Sequence, residues 1–287
     1  MGRGSRWVVG VIVGLAALDL ATGTVYRTST AASVHVTPAR TGTTGRALVA
    51  FPGFAMPGDL LSEAFAPYLP VDDAMIVVGY AERGVDVAAI SAAVEAELVR
   101  LAPREVVVYG ASMGGMVARE FLRRHEGPVV LVLDASPSAS DRTTRPAAVF
   151  SFARAYPGGA LSTVAVALAV RFARRPSPEP EADPGLIRRA RSAGGWVGTP
   201  ALTSQATFIR DFEPLHDGEL APKVRRAAYL RGHGPGRDPS VDVEASITDW
   251  RRAVPSLTVV TLPGREAGWH IPLIERPHET MSAILSV

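Results

Sequence analysis

A run of β-branched residues that stops at a Gly-x-Ser-x-Gly pentapeptide constrains this chain more than any other feature. Residues 106–109 read Val-Val-Val-Tyr, and residues 110–114 read Gly-Ala-Ser-Met-Gly. A helix-compatible segment, residues 116–122, follows at once. This order predicts a buried strand, a tight turn and a helix, with the hydroxyl of Ser112 standing clear of the backbone at the turn. Amide N–H groups and the positive end of the helix dipole would then lie close to that oxygen.

Six apolar runs beyond residue 45 alternate with segments of helix length. The runs are continuous, which is typical of strands buried on both faces of a parallel sheet. Repeated strand–helix units predict an α/β fold with helices on both faces of a mainly parallel sheet. Val34-His35-Val36 predicts one further edge strand. The predicted main strands are 47–51, 74–79, 104–109, 128–133, 227–231 and 257–262, and the predicted helices are 58–69, 86–101, 113–125, 241–253 and 273–285.

This alternation is interrupted between residues 136 and 222. The stretch is too long for one crossover, is apolar and alanine-rich over 146–173, and contains a proline-rich linker at 176–180. Insertions at the carboxyl edge of a sheet commonly cover the site there. We therefore predict a core of residues 31–135 and 223–287, with a helical cap of residues 136–222 inserted after the fourth main strand. The alternative is a second packing layer with no role in substrate entry.

The first 30 residues predict a signal peptide or a membrane anchor. Arg3 and Arg6 precede an apolar run from Trp7 to Leu18, which is the charge-then-hydrophobe order of a secretory segment. A cleaved signal and an uncleaved anchor both fit this pattern, and a buried first element is the remaining alternative. We expect a protein that is secreted or anchored to the outer face of the cell membrane.

Composition excludes several classes of function. The chain contains no cysteine, which excludes disulfides, thiolate metal ligands and a cysteine nucleophile. Its net charge is +2, and its basic residues form scattered pairs without interleaved aromatic residues. We therefore expect no nucleic-acid partner. The motifs imply no metal and no organic cofactor, and the expected partner is a small-molecule substrate.

The predicted turn on the third of six main strands, with a cap after the fourth, resembles the α/β-hydrolase superfamily. Residues 109–115, Tyr-Gly-Ala-Ser-Met-Gly-Gly, are similar to the Gly-His-Ser-Met-Gly-Gly segment of esterases and lipases. Ala111 stands where those relatives often have histidine, a position that is not catalytic. The resemblance covers residues 45–285 and implies an α/β-hydrolase fold in which Ser112 is the nucleophile of a Ser-acid-His triad.

The same resemblance implies that His270 is the general base. A serine hydroxyl is a poor nucleophile unless a base takes its proton during the attack. Residues 262–272, Leu-Pro-Gly-Arg-Glu-Ala-Gly-Trp-His-Ile-Pro, resemble the Gly-His-x-x-Pro segment that carries the catalytic histidine, with Trp269 inserted before His270. The other five histidines lie in contexts that favour surface or structural roles.

Three aspartates compete for the acid, whose task is to orient the histidine and stabilise its positive charge. Asp238 follows the penultimate strand, where the family usually has its acid. Asp134 ends the strand at 128–133, a position from which some lipases take theirs. Asp242 is more naturally the N-cap of the helix at 241–253. We expect Asp238 to be the acid, with the other two as alternatives.

Two backbone amides are implied for the oxyanion hole. Met113 directly follows the nucleophile, so its amide is the first donor. The second comes from the loop after the first main strand, residues 51–58, where the resemblance favours the amide of Phe54. Pro52 departs from the histidine that relatives usually have in this loop.

These residues together imply a serine hydrolase that cleaves a carboxylic ester through an acyl-enzyme intermediate. The alternatives are an acyltransferase that uses the same triad, and a catalytically silent protein of the same fold that binds an apolar ligand. Apolar side chains of the insertion favour a hydrophobic ester, although core packing explains them equally well. They are Val149, Phe150, Phe152, Leu161, Val164, Val166, Leu168 and Val170.

Overall fold

A single sheet, parallel except at one edge, organises the residues described by the computed structural model: 13–18, 21, 31–81, 84–144, 181–193, 199–234, 238–266 and 276–287. Its strand order is β1-β3-β2-β4-β5-β6-β7, with β1 antiparallel to β3. The mainly parallel sheet and its short edge strand confirm the prediction from sequence. The strands are β1 (Ser33–Thr37), β2 (Arg46–Phe51), β3 (Ala74–Gly79), β4 (Glu105–Ala111), β5 (Val129–Asp134), β6 (Val224–His233) and β7 (Leu257–Glu266).

The helices before the last strand connect consecutive parallel strands, as the alternation of the sequence predicts, and one more helix follows that strand. The first helix ends at Phe65, earlier than predicted, because it is followed by the 3-10 turn Ala66–Tyr68, which contains Pro67. Asp242 caps the helix after β6 by accepting a hydrogen bond from the amide of Ala245 (3.2 Å), which confirms its predicted capping role. The helices are α1 (Gly58–Phe65), α2 (Val87–Leu101), α3 (Met113–Arg124), α4 (Pro184–Ala193), α5 (Thr199–Asp211), α6 (Val243–Ala253) and α7 (Pro277–Ser286).

Two apolar cores lie on opposite faces of the sheet. Alternate residues of β2 belong to different cores, because successive side chains of a strand point to opposite faces. Val49 and Phe51 belong to the first, and Leu48 and Ala50 belong to the second. Helices α2, α3 and α6 cover the first core, and helices α1 and α7 cover the second. The large buried side chains of these helices include Ile90, Phe121 and Trp250 on the first face and Leu61, Phe65 and Met281 on the second.

Two helices of the predicted cap, α4 and α5, fall within the described residues. The apolar residues 149–170 that we predict as part of the cap lie outside them, so the extent of the cap stays a prediction. The same holds for the signal or anchor, because only residues 13–18 and 21 of the first 30 are described. No helix in the described ranges combines the length and the apolar character that a membrane crossing requires.

A buried ion pair joins the centre of the sheet to its last strand. Asp134, at the end of β5, is fully buried and accepts hydrogen bonds from both terminal nitrogens of Arg265 in β7. The hydroxyl of Tyr109 in β4 donates to the same carboxylate (2.8 Å). Burial raises the pKa of Tyr109, and the negative charge of Asp134 raises it further, so this hydroxyl remains a donor at neutral pH. Burial acts to lower the pKa of Arg265, but the attraction of Asp134 outweighs it.

Replacing Asp134 with asparagine would leave the Arg265 guanidinium buried without a compensating charge. Removing one partner of a buried ion pair typically costs about 3–5 kcal/mol. We expect Asp134→Asn to lower the free energy of unfolding by that amount, measured by urea titration followed by circular dichroism. The control is Glu63→Gln, which removes an exposed partner of Arg189 and costs less than about 1 kcal/mol. Equal losses in the two variants would contradict the structural role of the buried pair.

Candidate active site

The parallel strands bring their carboxyl ends, and the segments that follow them, to one edge of the sheet. In open α/β sheets this edge is where ligands bind. Ser112 follows β4, the loop of residues 52–57 follows β2, and Asp238 lies in the segment after β6. His270 follows β7 in the chain but lies outside the described residues, so its role as the base stays a prediction.

Ser112 forms a strained turn between β4 and α3. Its backbone has φ 51° and ψ −122°, a left-handed φ that is costly for a residue with a Cβ atom. The Ser112 amide donates to the carbonyl of Asp134 (2.8 Å), and the Gly115 amide donates to the carbonyl of Ser112 (2.9 Å). These bonds hold the turn from both sides and place the serine at the N-terminus of α3, where the helix dipole favours negative charge.

Close backbone contacts explain the glycines that flank the serine. A Cβ atom at Gly114 would overlap the carbonyl oxygen of Phe51 at the end of β2. A Cβ atom at Gly110 would lie 2.5 Å from the Cα atom of Gly115. The start of α3 can therefore approach β2 and β4 only because these positions lack side chains. The pentapeptide is required by packing as well as by the turn itself.

The loop after β2 packs directly against the serine. A Cβ atom at Gly53 would lie 3.3 Å from the Cβ atom of Ser112. The hydroxyl of Tyr80, which follows β3, donates to the carbonyl of Pro52 (2.8 Å). Burial raises the pKa of Tyr80, which keeps this hydroxyl protonated. Ala55, three positions beyond Pro52, has a left-handed φ of 58°, so this loop contains a strained residue as the turn at Ser112 does.

The two predicted oxyanion donors are available for a ligand. Within the part of the chain that the structure describes, neither the Met113 amide nor the Phe54 amide donates a hydrogen bond. Met113 is the first residue of α3, where backbone amides have no partner within the helix. The neighbouring Ala55 amide, in contrast, donates to the side-chain Oε1 atom of Gln205 in α5 (2.8 Å).

The three candidate acids occupy different environments. Asp238 is buried, and its Oδ1 atom accepts hydrogen bonds from the amides of Ser240 (2.7 Å) and Val241 (2.9 Å). Asp134 has both carboxylate oxygens bound to Arg265, and Asp242 caps α6. Two of the three therefore have structural tasks, whereas Asp238 is held in the segment after β6 by backbone amides.

The two ends of the segment that contains His270 are joined to each other. Glu279 in α7 accepts a hydrogen bond from the Gly264 amide (2.6 Å) and one from Arg276 Nε (3.1 Å). Gly264 precedes the segment and Arg276 follows it. Arg265 fixes the first end further through Asp134. The chain on either side of residues 267–275 is thus held in place by charged groups.

Three other histidines make structural contacts. His125 is buried, pairs with Glu95 (Nδ1 to Oε1, 2.6 Å) and stacks on Phe121, which agrees with the structural alternative for this residue. The His233 Nδ1 atom donates to the carbonyl of Arg265 (2.8 Å). His278 packs against the ring of Tyr68, with centroids 5.3 Å apart. Each therefore has a contact that explains it without catalysis.

An apolar cluster connects α3, the loop after β2 and helix α5 of the cap region. Its fully buried members include Met113 and Met116 of α3, next to the serine, and Ala206 of α5. Phe54 and Tyr80 pack against it from the sheet edge. The side chains packed on this side of the turn at Ser112 are therefore apolar. The remaining members are Phe208, Ile209 and Phe212.

A second buried arginine fixes the end of this cap region to α3. Arg119 is fully buried in α3 and forms two hydrogen bonds with the carboxylate of Glu219 (2.7 and 2.9 Å). Its guanidinium lies 5.2 Å from the ring centroid of Phe212, which directly follows α5. Burial alone would raise the pKa of Glu219, but the bonds to Arg119 lower it overall, so the pair is charged.

Sequence reasoning did not single out Gln205, Tyr80 or Arg265. Tyr80 had a usable signal, because it directly follows a main strand at the edge where sites form. Gln205 and Arg265 had none, since their partners are distant in sequence. Within the described ranges, no group of three or more histidine, aspartate or glutamate side chains is arranged to hold a metal ion.

The sequence model of the alpha/beta hydrolase family matches residues 14–283 of the chain. A comparison with curated protein sequences found no match. The family match agrees with the architecture and confirms the fold predicted from the resemblance.

Solved structures with this fold span several activities. An esterase from Thermogutta terrifontis is 19% identical with a TM-score of 0.58, over 89% of this chain and 92% of that chain. A bacterial membrane phospholipase A is 19% identical with a TM-score of 0.61, over 98% of both chains. A bromoperoxidase from Bacillus anthracis is 15% identical with a TM-score of 0.62, over 89% and 94%. At these identities the similarity shows the fold alone.

Proposed function

Because this chain belongs to the alpha/beta hydrolase family, we propose that it is a serine hydrolase that cleaves a carboxylic ester through an acyl-enzyme intermediate. The observation that carries the proposal is the turn at Ser112. A residue with a Cβ atom is held there at φ 51°, at the start of a helix and against the loop after β2. Such strain costs about 1–3 kcal/mol and clusters at functional sites, where it is part of the mechanism.

In the proposed mechanism the Oγ atom of Ser112 attacks the ester carbonyl carbon while His270 takes the hydroxyl proton. The C–O bond to the alcohol then breaks, and the histidine returns the proton to the departing oxygen. A water molecule, deprotonated by His270, attacks the acyl-enzyme in the same way and releases the acid and the free serine. Each step moves one proton through the imidazole and requires no other reactant.

The negative charge of each tetrahedral intermediate is assigned to the amides of Met113 and Phe54. Donors that are fixed before the reaction need no reorganisation as the charge develops, and each is typically worth about 10²–10³ in kcat. The dipole of α3 adds to this stabilisation because the serine lies at its N-terminus. The assignment is supported because neither the Met113 amide nor the Phe54 amide donates a hydrogen bond within the described structure.

Asp238 is the proposed acid of the triad. The amides of Ser240 and Val241 hold its Oδ1 atom in place. An acid must leave an oxygen for the imidazole N–H, and the alternative at Asp134 has both oxygens bound to Arg265. The contacts of Asp134 therefore weigh against it, and the position of Asp238 in the segment after β6 favours Asp238.

The proposed substrate has an apolar acyl or alcohol part. Met113 and Met116, in the helix that begins next to Ser112, and Phe54, in the loop that packs against the serine, belong to one apolar cluster. Burying one methylene group against such a surface contributes about 0.8 kcal/mol. Longer acyl chains should gain this contribution at each added methylene until the apolar surface is filled.

Steady-state hydrolysis of p-nitrophenyl esters from acetyl to palmitoyl tests the nucleophile and the substrate class together. We expect kcat/KM to rise by up to about fourfold per methylene over the shorter chains. We expect Ser112→Ala to reduce kcat by about 10⁶-fold, to the floor of the assay. Undiminished turnover by this variant would refute the mechanism. An acylated serine that turns over only with an added alcohol would instead favour the acyltransferase alternative.

Substituting Asp238 and Asp242 separately with asparagine tests the third member of the triad. We expect Asp238→Asn to reduce kcat by about 10⁴-fold at neutral pH, because the histidine loses the partner that sets its tautomer. Asp242→Asn is the control, since it retains a helix cap and should change kcat by less than about twofold. Loss of activity in the Asp242 variant and not in the Asp238 variant would reverse the assignment.

Export is the remaining part of the proposal. Arg3, Arg6 and the apolar run from Trp7 to Leu18 are typical of a secretory segment. We expect residues 1–45 fused to alkaline phosphatase to give periplasmic activity in a bacterial host, because that enzyme is active only outside the cytoplasm. Replacing Val13 and Leu15 by arginine should abolish it. Activity that survives this replacement would show that the segment is not the export signal.

A further inference from the structure

We propose that Gln205 of α5 is a positioning residue for the oxyanion hole, and that it makes the arrangement of this hole depend on the cap. The proposal rests on the proposed function, because it concerns the same reaction. Gln205 is 3% exposed, and its Oε1 atom accepts the hydrogen bond of the Ala55 amide, 150 residues earlier in the chain. A buried carboxamide is costly unless its polar atoms are bonded, so this contact fixes both groups.

Three consecutive peptide groups of the loop are held by separate hydrogen bonds. The carbonyl of Pro52 accepts from the Tyr80 hydroxyl (2.8 Å), and the carbonyl of Gly53 accepts from the Met56 amide (3.2 Å). The amide of Ala55 donates to Gln205 (2.8 Å). The Phe54 amide belongs to the middle one of these peptide groups. Its direction is therefore fixed by bonds on both sides, of which the cap supplies one.

The bond from Gln205 also acts at the strained point of the loop. Ala55 has φ 58°, and a residue with a Cβ atom remains in that region only where its surroundings require it. Without the acceptor on α5, the peptide group between Phe54 and Ala55 could rotate toward a relaxed conformation. The adjacent Phe54 amide would then lose its preorganised direction, and the transition state would lose part of its stabilisation.

Packing around the hydrogen bond transmits the position of α5 to the loop. Ala206, next to Gln205, lies in the same buried cluster as Met113 and Met116, and Phe54 packs against this cluster. The side chain of Gln205 can reach the Ala55 amide only while α5 lies on this apolar surface. The oxyanion donor at Phe54 is therefore assembled when the cap helix is in place.

Four variants of the full-length chain test this role. Gln205→Met and Gln205→Leu remove the acceptor and keep a helix-compatible side chain of similar size. Gln205→Glu keeps an oxygen that can accept the Ala55 hydrogen bond. The control is Arg210→Gln on the same helix, where the arginine side chain pairs with the adjacent Asp211. Thermal unfolding establishes which variants are folded.

We expect the Met and Leu variants to reduce kcat for p-nitrophenyl butyrate by about 10- to 100-fold, less than the loss of a whole oxyanion donor, with KM within about twofold. Affinity for a trifluoromethyl ketone, which forms a tetrahedral adduct on the serine, should fall in parallel. Gln205→Glu should recover most of kcat, and Arg210→Gln should change neither quantity. Hydrogen exchange at the Ala55 amide should become at least about tenfold faster in the Met and Leu variants.

Unchanged kcat in a folded Met or Leu variant of an active enzyme overturns the inference and leaves the proposed function intact. A change in KM alone, or unaltered exchange at the Ala55 amide, overturns it equally, because a positioning bond must affect both the transition state and this amide. A wild-type chain that hydrolyses none of the esters overturns the proposed function, and this inference with it.

Discussion

The position of Asp134 is the constraint on which the candidate site depends. Its carbonyl accepts the hydrogen bond of the Ser112 amide, and its carboxylate binds Arg265 of β7 and Tyr109 of β4. One residue at the end of β5 therefore fixes the strained serine and the strand that leads to His270. Charged groups in a core are costly, and this pair is retained where it joins three strands at the edge that carries the chemistry. Both oxygens of its carboxylate are bound to Arg265, which is why Asp134 is not the proposed acid.

The sequence was sufficient to predict the sheet, because strands buried on both faces must be continuous apolar runs. Every predicted main strand is present, and β6 and β7 extend beyond the predicted ends. The extensions contain residues such as Arg226, which pairs with Val130 through the backbone while its exposed side chain binds Glu105, so hydropathy does not reveal them. The turn at Ser112 was predictable for a related reason, since the glycines around it are required by close backbone contacts.

Distant polar pairs could not be predicted in the same way. Arg265 and Asp134 are 131 residues apart, and Gln205 and Ala55 are 150 residues apart. A single polar residue carries no periodic signal, and its partner is known only once the strands and the cap are in place. The choice between Asp134 and Asp238 remained open for this reason: Asp134 ends a parallel strand and Asp238 follows one, both at the same edge, and their environments differ only in contacts that the sequence does not reveal. For the same reason the hydrogen bond from the Ala55 amide to Gln205 of α5 could not be predicted from the sequence.

Ser112 is proposed to be a nucleophile activated by its position in the fold. The most direct measurement is mass spectrometry of the peptide containing Ser112 after reaction of the folded chain with a fluorophosphonate. We expect one phosphonyl group on Ser112, and no adduct when the chain is first unfolded in urea, since the strained turn and the oxyanion donors exist only in the folded state. Absence of an adduct on Ser112 in the folded chain, or equal labelling of the unfolded chain, would contradict the proposal.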